Sequence, residues 1–399
     1  MRWAFFFYCF IFFNSGITGQ AFAQKETNIW YFGSRAGLDF SKGTPVARTD
    51  GMMSTSEGCA TIADGAGNLL FYTNGVYVWN RHHEQMPNGF RLMGHRSSTQ
   101  SAIIIPRPGS SSQHYIFTTD LQSQSYGLRY NLIDMTRDGG KGDVVEKNVY
   151  LISPITEKIT AVHHRNKRDV WVIVHLWNSD SFVAYLVTDK GVSKKPVITH
   201  IGNAHRGKGK GAIGSMKASP DGTKIALAIW RDFNRFEVYD FDNYNGTLSN
   251  RISLEPFPEA YGVEFSPDGT KLYGTTTGIA GGESQLWQFN LKAGSRSAIS
   301  NSAILIPTTG SKLGALQLAP DGRIYLAKED EEYLGVIQHP NAGGWSCRYL
   351  DQGVALAERR AKLGLPNFIQ SYFRNLPTPG QGIQTPELPN QHQATGGLK

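Results

Sequence analysis

Charge is scarce in this sequence. Asp, Glu, Lys and Arg make up 18% of its 399 residues, against about 25% in ordinary soluble domains, which excludes a charge-rich disordered chain or a long coiled coil. Cysteine is scarcer still, three in all, so neither a disulfide scaffold nor a Cys-rich metal centre organises the chain. The longest apolar run, Trp3 to Phe13, is 11 residues, and a membrane-spanning helix needs about 20. Helical periodicity is almost missing. So are the compact signatures of catalysis: no His-Glu-x-x-His and no Gly-x-Ser-x-Gly occurs. Catalysis by residues gathered from distant loops stays open, because no motif search detects it.

What the chain has instead is turn formers and strand formers, 44 Gly and 18 Pro with 12% aromatic residues. SPDGTK stands at 219–224 and again at 266–271, with APDGR at 319–323. Their flanks match: KASPDGTKIALAI, EFSPDGTKLYGTT and QLAPDGRIYLAKE each run from one β-rich stretch through Pro-Asp-Gly into another. Pro suits the second position of a turn, Asp hydrogen-bonds the local backbone, and Gly accepts positive φ, so each copy is a hairpin. Weaker copies turn at Asp64-Gly65, near Gly109-Ser110 and near Asn166, making six. A third strand follows each hairpin and a looser fourth follows most. A period near 50 residues with four strands per unit specifies a β-propeller rather than a solenoid.

Six hairpins leave two orphan segments. NIWYFG, AGLDF and PVART, at 28–48, supply three strands, and LPNFIQSYF, at 365–373, supplies one. The expectation is therefore an all-β, seven-bladed propeller whose seventh blade is closed by N- and C-terminal strands, with Phe368–Phe373 paired to Ile29–Phe32. Met1-Arg2, the apolar run and Ala21-Phe22-Ala23 read as a signal peptide over 1–23. The propeller spans 24–373. Residues 374–399, rich in Pro, Gln, Gly and Asn, read as a disordered tail.

The longer motifs NIWYFGSRAGLDF, TSEGCATIADGAGNLLFYTNGVYVWNRHHEQMPNG, SSTQSAIIIPRPGSS and GLPNFIQSYF, together with the hairpins, resemble the N-terminal propeller region of exported, surface-associated proteins of Bacteroidota. The likeness covers about residues 28–373. In such proteins this region often precedes gliding-motility-associated or type IX secretion domains. SPDG alone is shared with TolB-like and WD40-like repeats. The resemblance implies export to the periplasm, cell surface or medium, and assigns no activity and no catalytic residue.

The remaining motifs read as structure. His82-His83 and His163-His164 lack metal-site spacing; Gly202 to Lys208 starts like a phosphate loop but Gly209 replaces the required Ser or Thr; Asp240 to Gly246 is out of register for a calcium loop and reads as a turn. No cofactor and no metal is expected. HRGKGKG at 205–211 is the one concentrated basic segment, in a chain of net charge +7. Export argues against nucleic acid as its partner.

Aligned on their turns, Lys217, Glu264 and Gln317 occupy the same position of three successive inner strands. A polar ring facing the channel is expected, with Glu57, Gln100 and Gln370 as extensions, holding either a ligand or ordered water. The reading is a monomeric, non-catalytic binding or interaction module of the envelope or surface, with a glycan or surface protein as partner. The alternative is a secreted carbohydrate-active or other hydrolase working at the channel mouth, which requires an acidic pair there. Cys59 and Cys347 fall on an inner strand and an outer segment separated by one blade, so both are expected to be free.

Overall fold

The Asp-Gly turns set the geometry. In the computed structural model, which describes residues 25–374 and 376 apart from 208, 279 and 280, Gly222 N–H donates to Ser219 O at 2.8 Å and Gly269 N–H to Ser266 O at 2.8 Å, while Gly322 N–H donates to Ala319 O at 3.0 Å. The three glycines have φ of 73°, 67° and 75°, where a side chain would be strained. Asp221 and Asp268 accept the N–H two residues on, from Thr223 at 3.1 Å and Thr270 at 2.9 Å. Asp321 does the same for Arg323 at 3.1 Å.

Among the described residues the strands form seven antiparallel sheets, the blades of a propeller, numbered here in chain order. Blade 1 is Ile29–Phe32, Ala36–Asp39 and Val46–Arg48. The inner strands of blades 2 to 7 are Ala60–Ala63, Ala102–Pro106, Ile155–His163, Met216–Ala218, Ala260–Phe265 and Leu313–Leu318. Blade 2 stops at three strands, and blades 3 and 5 to 7 have four. Nearly every inner-strand residue is buried.

Adjacent blades are held by apolar layers. Phe236 of blade 5 meets Phe257 at 5.3 Å and Phe289 of blade 6 at 5.9 Å between ring centroids. Each such ring contributes roughly 1.5–3 kcal/mol by leaving water. The expected seven-bladed, all-β architecture is therefore present.

Its closure takes another form than expected. Ile29–Phe32 pairs with Ala36–Asp39 and with no C-terminal strand. It is already the inner strand of its blade, in the same inner-to-outer order as the others, and its Tyr31 N–H donates to Thr61 Oγ1 of blade 2 at 3.1 Å. Ring closure by a paired C-terminal strand is thus replaced by packing of blade 1 between blades 7 and 2, with isolated backbone bridges from Ser34 to Arg360 and Ser54. Trp30 lies 5.6 Å from Tyr325, and Tyr31 stacks on Tyr72 at 4.6 Å.

The C-terminal segment goes into the channel instead. Pro366 and Ile369 make isolated parallel bridges to Cys59 of blade 2 and Ala161 of blade 4. Gln370–Phe373 is a 3-10 turn. Pro366 has no N–H to give a ladder, and the segment bonds alternately to different blades. Leu363 O accepts from Ala315 of blade 7 at 2.7 Å, Leu363 N–H donates to Ser56 O at 3.1 Å and Asn367 N–H to Cys59 O at 2.9 Å. Ser371 Oγ accepts from His163 N–H at 2.9 Å. Residues 363–374 form an axial plug.

Cys59 and Cys347 are free and buried. No helix among the described residues is long and apolar enough to cross a membrane. The leader expected at 1–23 and, beyond Arg374, all of the expected tail except Leu376 lie outside the described residues.

Candidate functional site

The inner strands of blades 2 to 7 run from one face of the disc into their hairpins on the other. Residues just before or at the start of the inner strands therefore meet at one mouth of the channel, the upper one. Those of blades 2, 3, 4 and 6 bring Glu57, Ser97 and Thr99, Glu157, and Tyr261 together there.

Glu57 Oε2 accepts from Tyr261 O–H at 2.8 Å and its Oε1 from Ser97 O–H at 3.1 Å. Glu157, fully buried, accepts from Thr99 N–H at 2.8 Å, Thr99 O–H at 2.6 Å and Gln122 N–H at 2.8 Å. Burial, then the charge of Glu157, pushes Glu57 up to about 8. Burial also raises Glu157 and lifts Tyr261 well above its ordinary range. Of the two, Glu57 is the readier to hold a proton, and Glu157, braced by three donors, is the better seat for charge.

The next residue, Lys158, is fully buried and is lowered to about 7 by burial. Its ammonium donates to Ala212 O and Ile213 O, both at 2.8 Å. The basic segment at 205–211 is thus partly a clamp: its far end feeds the carbonyls that hold Lys158, and His205 is buried, stacked on His175 at 3.7 Å. Lys208 lies outside the described residues.

The expected ring is half assembled. Lys217 donates to Gln317 Oε1 and lies 3.7 Å from Glu264 Oε2. Glu264 also accepts from Phe265 N–H at 3.0 Å and Leu318 N–H at 3.1 Å. The three residues, from blades 5, 6 and 7, are brought together and sealed, with Glu264 and Gln317 at zero exposure and Lys217 at 4%. Burial lowers Lys217 and raises Glu264, each opposed by the other's charge.

Gln100 is elsewhere in the interior. Its Oε1 accepts from Met216 N–H at 2.7 Å and Ile159 N–H at 3.1 Å, and its amide donates to Met216 O at 3.0 Å, so it clips blades 3, 4 and 5. Gln370 belongs to the axial plug and donates to Phe368 O at 3.2 Å. Glu57 alone of the six reaches the surface region.

Beside that mouth the upper loops of blades 2 and 3 enclose a groove of about 710 Å³. Tyr77, Trp79 and Tyr126 line it with Arg91, Arg96 and Asn74, and no Asp or Glu does. The rings continue a stack out of the core: Tyr31 on Tyr72 at 4.6 Å, Tyr72 on Trp79 at 5.5 Å and 14° between planes, and Trp79 to Tyr77 at 6.0 Å. Tyr77 and Tyr126 are 41% and 45% exposed. Neither arginine forms an ion pair among the described residues. Groove and mouth share a wall, because Arg96 O accepts from Thr55 O–H at 2.9 Å and Glu57 N–H at 3.1 Å.

Sequence reasoning did not find the groove, since its residues come from turns of two blades and aromatic residues in strands are usually core. Glu157-Lys158 did carry a signal: two adjacent charges inside ITEKITAV, a strand otherwise fit for burial. Asp242 accepts from Tyr244 N–H at 2.9 Å as a turn, and His83 is bonded to Tyr72 O–H at 3.1 Å. No cluster of three or more His, Cys, Asp or Glu suited to a metal occurs among the described residues.

No protein-family model and no curated protein matches the chain. Similar solved structures are propellers. The Dos1 propeller is 9% identical, covering 85% of this chain and 86% of its own at a TM-score of 0.46. A putative 6-phosphogluconolactonase from Bacteroides uniformis is 15% identical over 75% and 84%, TM-score 0.44. A putative TolB from Agrobacterium tumefaciens is 14% identical over 65% and 83%, TM-score 0.36.

Proposed function

We propose that this chain is an exported, non-catalytic binding module of the cell envelope or surface, acting as a monomer, and that it holds a glycan in the groove of blades 2 and 3. The observation that supports this reading is the composition of that groove: exposed Tyr77 and Tyr126 and half-buried Trp79 beside Arg91 and Arg96, with no carboxylate in the lining. An aromatic face packs on the apolar face of a sugar ring, and an unopposed guanidinium pairs with carboxylate or sulfate. An acidic glycan satisfies both. Export and a surface setting rest on the leader-like first 23 residues and on the motif resemblance. Of the six channel residues singled out in the sequence, Glu57 is the one proposed to adjoin ligand; the other five hold the interior. A glycan array probed with the purified mature protein, followed by calorimetry on any hit, tests the reading: binding of acidic oligosaccharides that fails in Tyr77→Ala supports it, and binding indifferent to Tyr77, Arg91 and Arg96 refutes it.

One observation favours the alternative of a secreted hydrolase. Glu57, raised to about 8, is a protonated acid at the groove's edge, next to a second carboxyl, Glu157. A general acid of this kind suits glycosidic cleavage. Turnover of a bound oligosaccharide that is lost in Glu57→Gln, with binding retained, would decide for it.

A further inference from the structure

The lower face, where the hairpins lie and the axial plug leaves the channel, has a pocket of its own. It measures about 530 Å³ and is built from the hairpin of blade 4, the hairpin and a turn of blade 5, and the plug. Blade 4 contributes His163, Arg165 and Lys167, and the plug contributes Ser371 and Arg374. Two carboxylates, Asp221 and Asp242, also line it.

The charges in this pocket are not equivalent. Asp221 accepts from Ser219 O–H at 2.5 Å, Thr223 N–H at 3.1 Å and Thr223 O–H at 2.8 Å. Asp242 accepts from Tyr244 N–H at 2.9 Å and from the Asn245 side chain at 2.8 Å. Both are committed to the turns that build the wall. Arg165, Lys167 and Arg374 form no ion pair among the described residues. Arg374 acts on Asp221 and Arg165 on Asp242 only through space. His163 Nδ1 meets Ser371 Oγ at 2.7 Å. Three permanent cations converge on a concave site whose acids already have their donors.

We propose that this lower pocket is an oxyanion-binding site, taking a carboxylate, sulfate or phosphate group between Arg165, Lys167 and Arg374. A guanidinium forks onto two oxygens of such a group, and three cations from two separate chain segments surround it. Because Arg374 and Ser371 belong to the plug, the bound anion also ties the end of residues 363–374 to blade 4. The site lies on the face opposite the groove and stands or falls independently of it.

The test is calorimetric titration of the mature protein with sodium sulfate, and in parallel with sodium acetate, against sodium chloride at equal ionic strength. Saturable binding of sulfate or acetate is expected, and the better of the two tells whether the natural group is tetrahedral or planar. At ten times the dissociation constant the melting temperature should rise by about 2 °C. In Arg165→Ala/Arg374→Ala affinity should fall roughly a hundredfold, two charge-assisted contacts being lost, with the unliganded melting point little changed because both side chains are exposed. Lys167→Gln, at an exposed turn, provides a second and milder variant with an intermediate loss. Absence of saturation by both anions, or equal affinity in the double variant, overturns the proposal.

Discussion

The side-chain amide of Asn367 donates to the backbone carbonyl of Ile159 at 3.1 Å, across 208 positions of sequence, while its own backbone N–H donates to Cys59 O at 2.9 Å. One residue of the plug therefore ties blade 2 to blade 4 through the axis. Asn367→Ala leaves a buried carbonyl without its donor, and such a loss costs about 1–3 kcal/mol. Equilibrium urea unfolding of the variant should show that decrease with an unchanged slope; a midpoint equal to wild type would mean the plug does not brace the ring.

Gly364 makes a sharper case. A Cβ there would lie 1.9 Å from Glu57 O and 2.2 Å from Glu57 C, and both are backbone atoms with nowhere to go. Gly364→Ala must push the plug off blade 2 or deform the mouth. The expected result is a loss larger than that of Asn367→Ala, read in the same unfolding experiment, together with faster proteolysis at the C-terminal side of residue 363.

The turns and the blade count were legible because hairpin chemistry is local: Pro, Asp and Gly act within four residues, and repetition amplifies the signal. The polar triad was legible for a related reason, since alignment on the turn places Lys217, Glu264 and Gln317 in one layer. The path of LPNFIQSYF was not. Its alternation of Phe368, Gln370 and Tyr372 suits a strand, but a strand edge and a channel both offer backbone donors and acceptors, and only the finished ring shows which is vacant. The groove of Tyr77, Trp79 and Tyr126 depends on which face of each loop residue meets solvent, a tertiary property that pattern does not hold.

The buried Lys217–Glu264 pair is expected to be costly to break and cheap to replace. Glu264→Ala leaves an ammonium in the sealed hub with only Gln317 for company, which should remove about 3–5 kcal/mol. Lys217→Met/Glu264→Leu removes both charges at similar volume and should recover part of that loss, the Phe265 and Leu318 N–H groups being left without their carboxylate acceptor. Thermal melts of the three proteins check this; a double variant as unstable as Glu264→Ala would show that the pair is needed for more than mutual neutralisation.

Stability should fall in mild acid for an identifiable reason. Burial holds His114 down to about 4 and His175 down to about 3, while in the unfolded chain both take a proton near 6.5. Below pH 6.5 the unfolded state thus binds more protons than the folded one. The contribution of each neutral imidazole is complete above that pH and is lost as pH falls toward 4, at up to about 1.4 kcal/mol per pH unit per histidine. His114→Gln should flatten the decline between pH 6.5 and 5 relative to wild type, and an identical slope in urea-derived stabilities would remove His114 from the account.

The groove and the mouth can be separated by substitution, because they share a wall but not their chemistry. Tyr77 is exposed, and Arg96 is held by its backbone carbonyl, which Thr55 and Glu57 both use; changing either side chain leaves that wall in place. Tyr77→Ala and Arg96→Gln should each weaken an acidic oligosaccharide by about 10- to 100-fold, the loss of one ring platform or one charge-assisted contact, with the melting point unmoved. Glu57→Gln keeps one carbonyl acceptor for Tyr261 or Ser97, turns the other contact round so that the amide donates to that hydroxyl, and removes the titrating proton. In a binding module it should leave affinity at pH 7 nearly as it was, since Glu57 is already neutral there, and alter it only above pH 8, where the wild-type carboxyl ionises beside an anionic ligand and repels it. Calorimetry of wild type and Glu57→Gln at pH 7 and pH 9 reads this directly: affinity should drop with pH in the wild type and stay flat in the variant. Equal pH dependence in both would place Glu57 outside the ligand's reach.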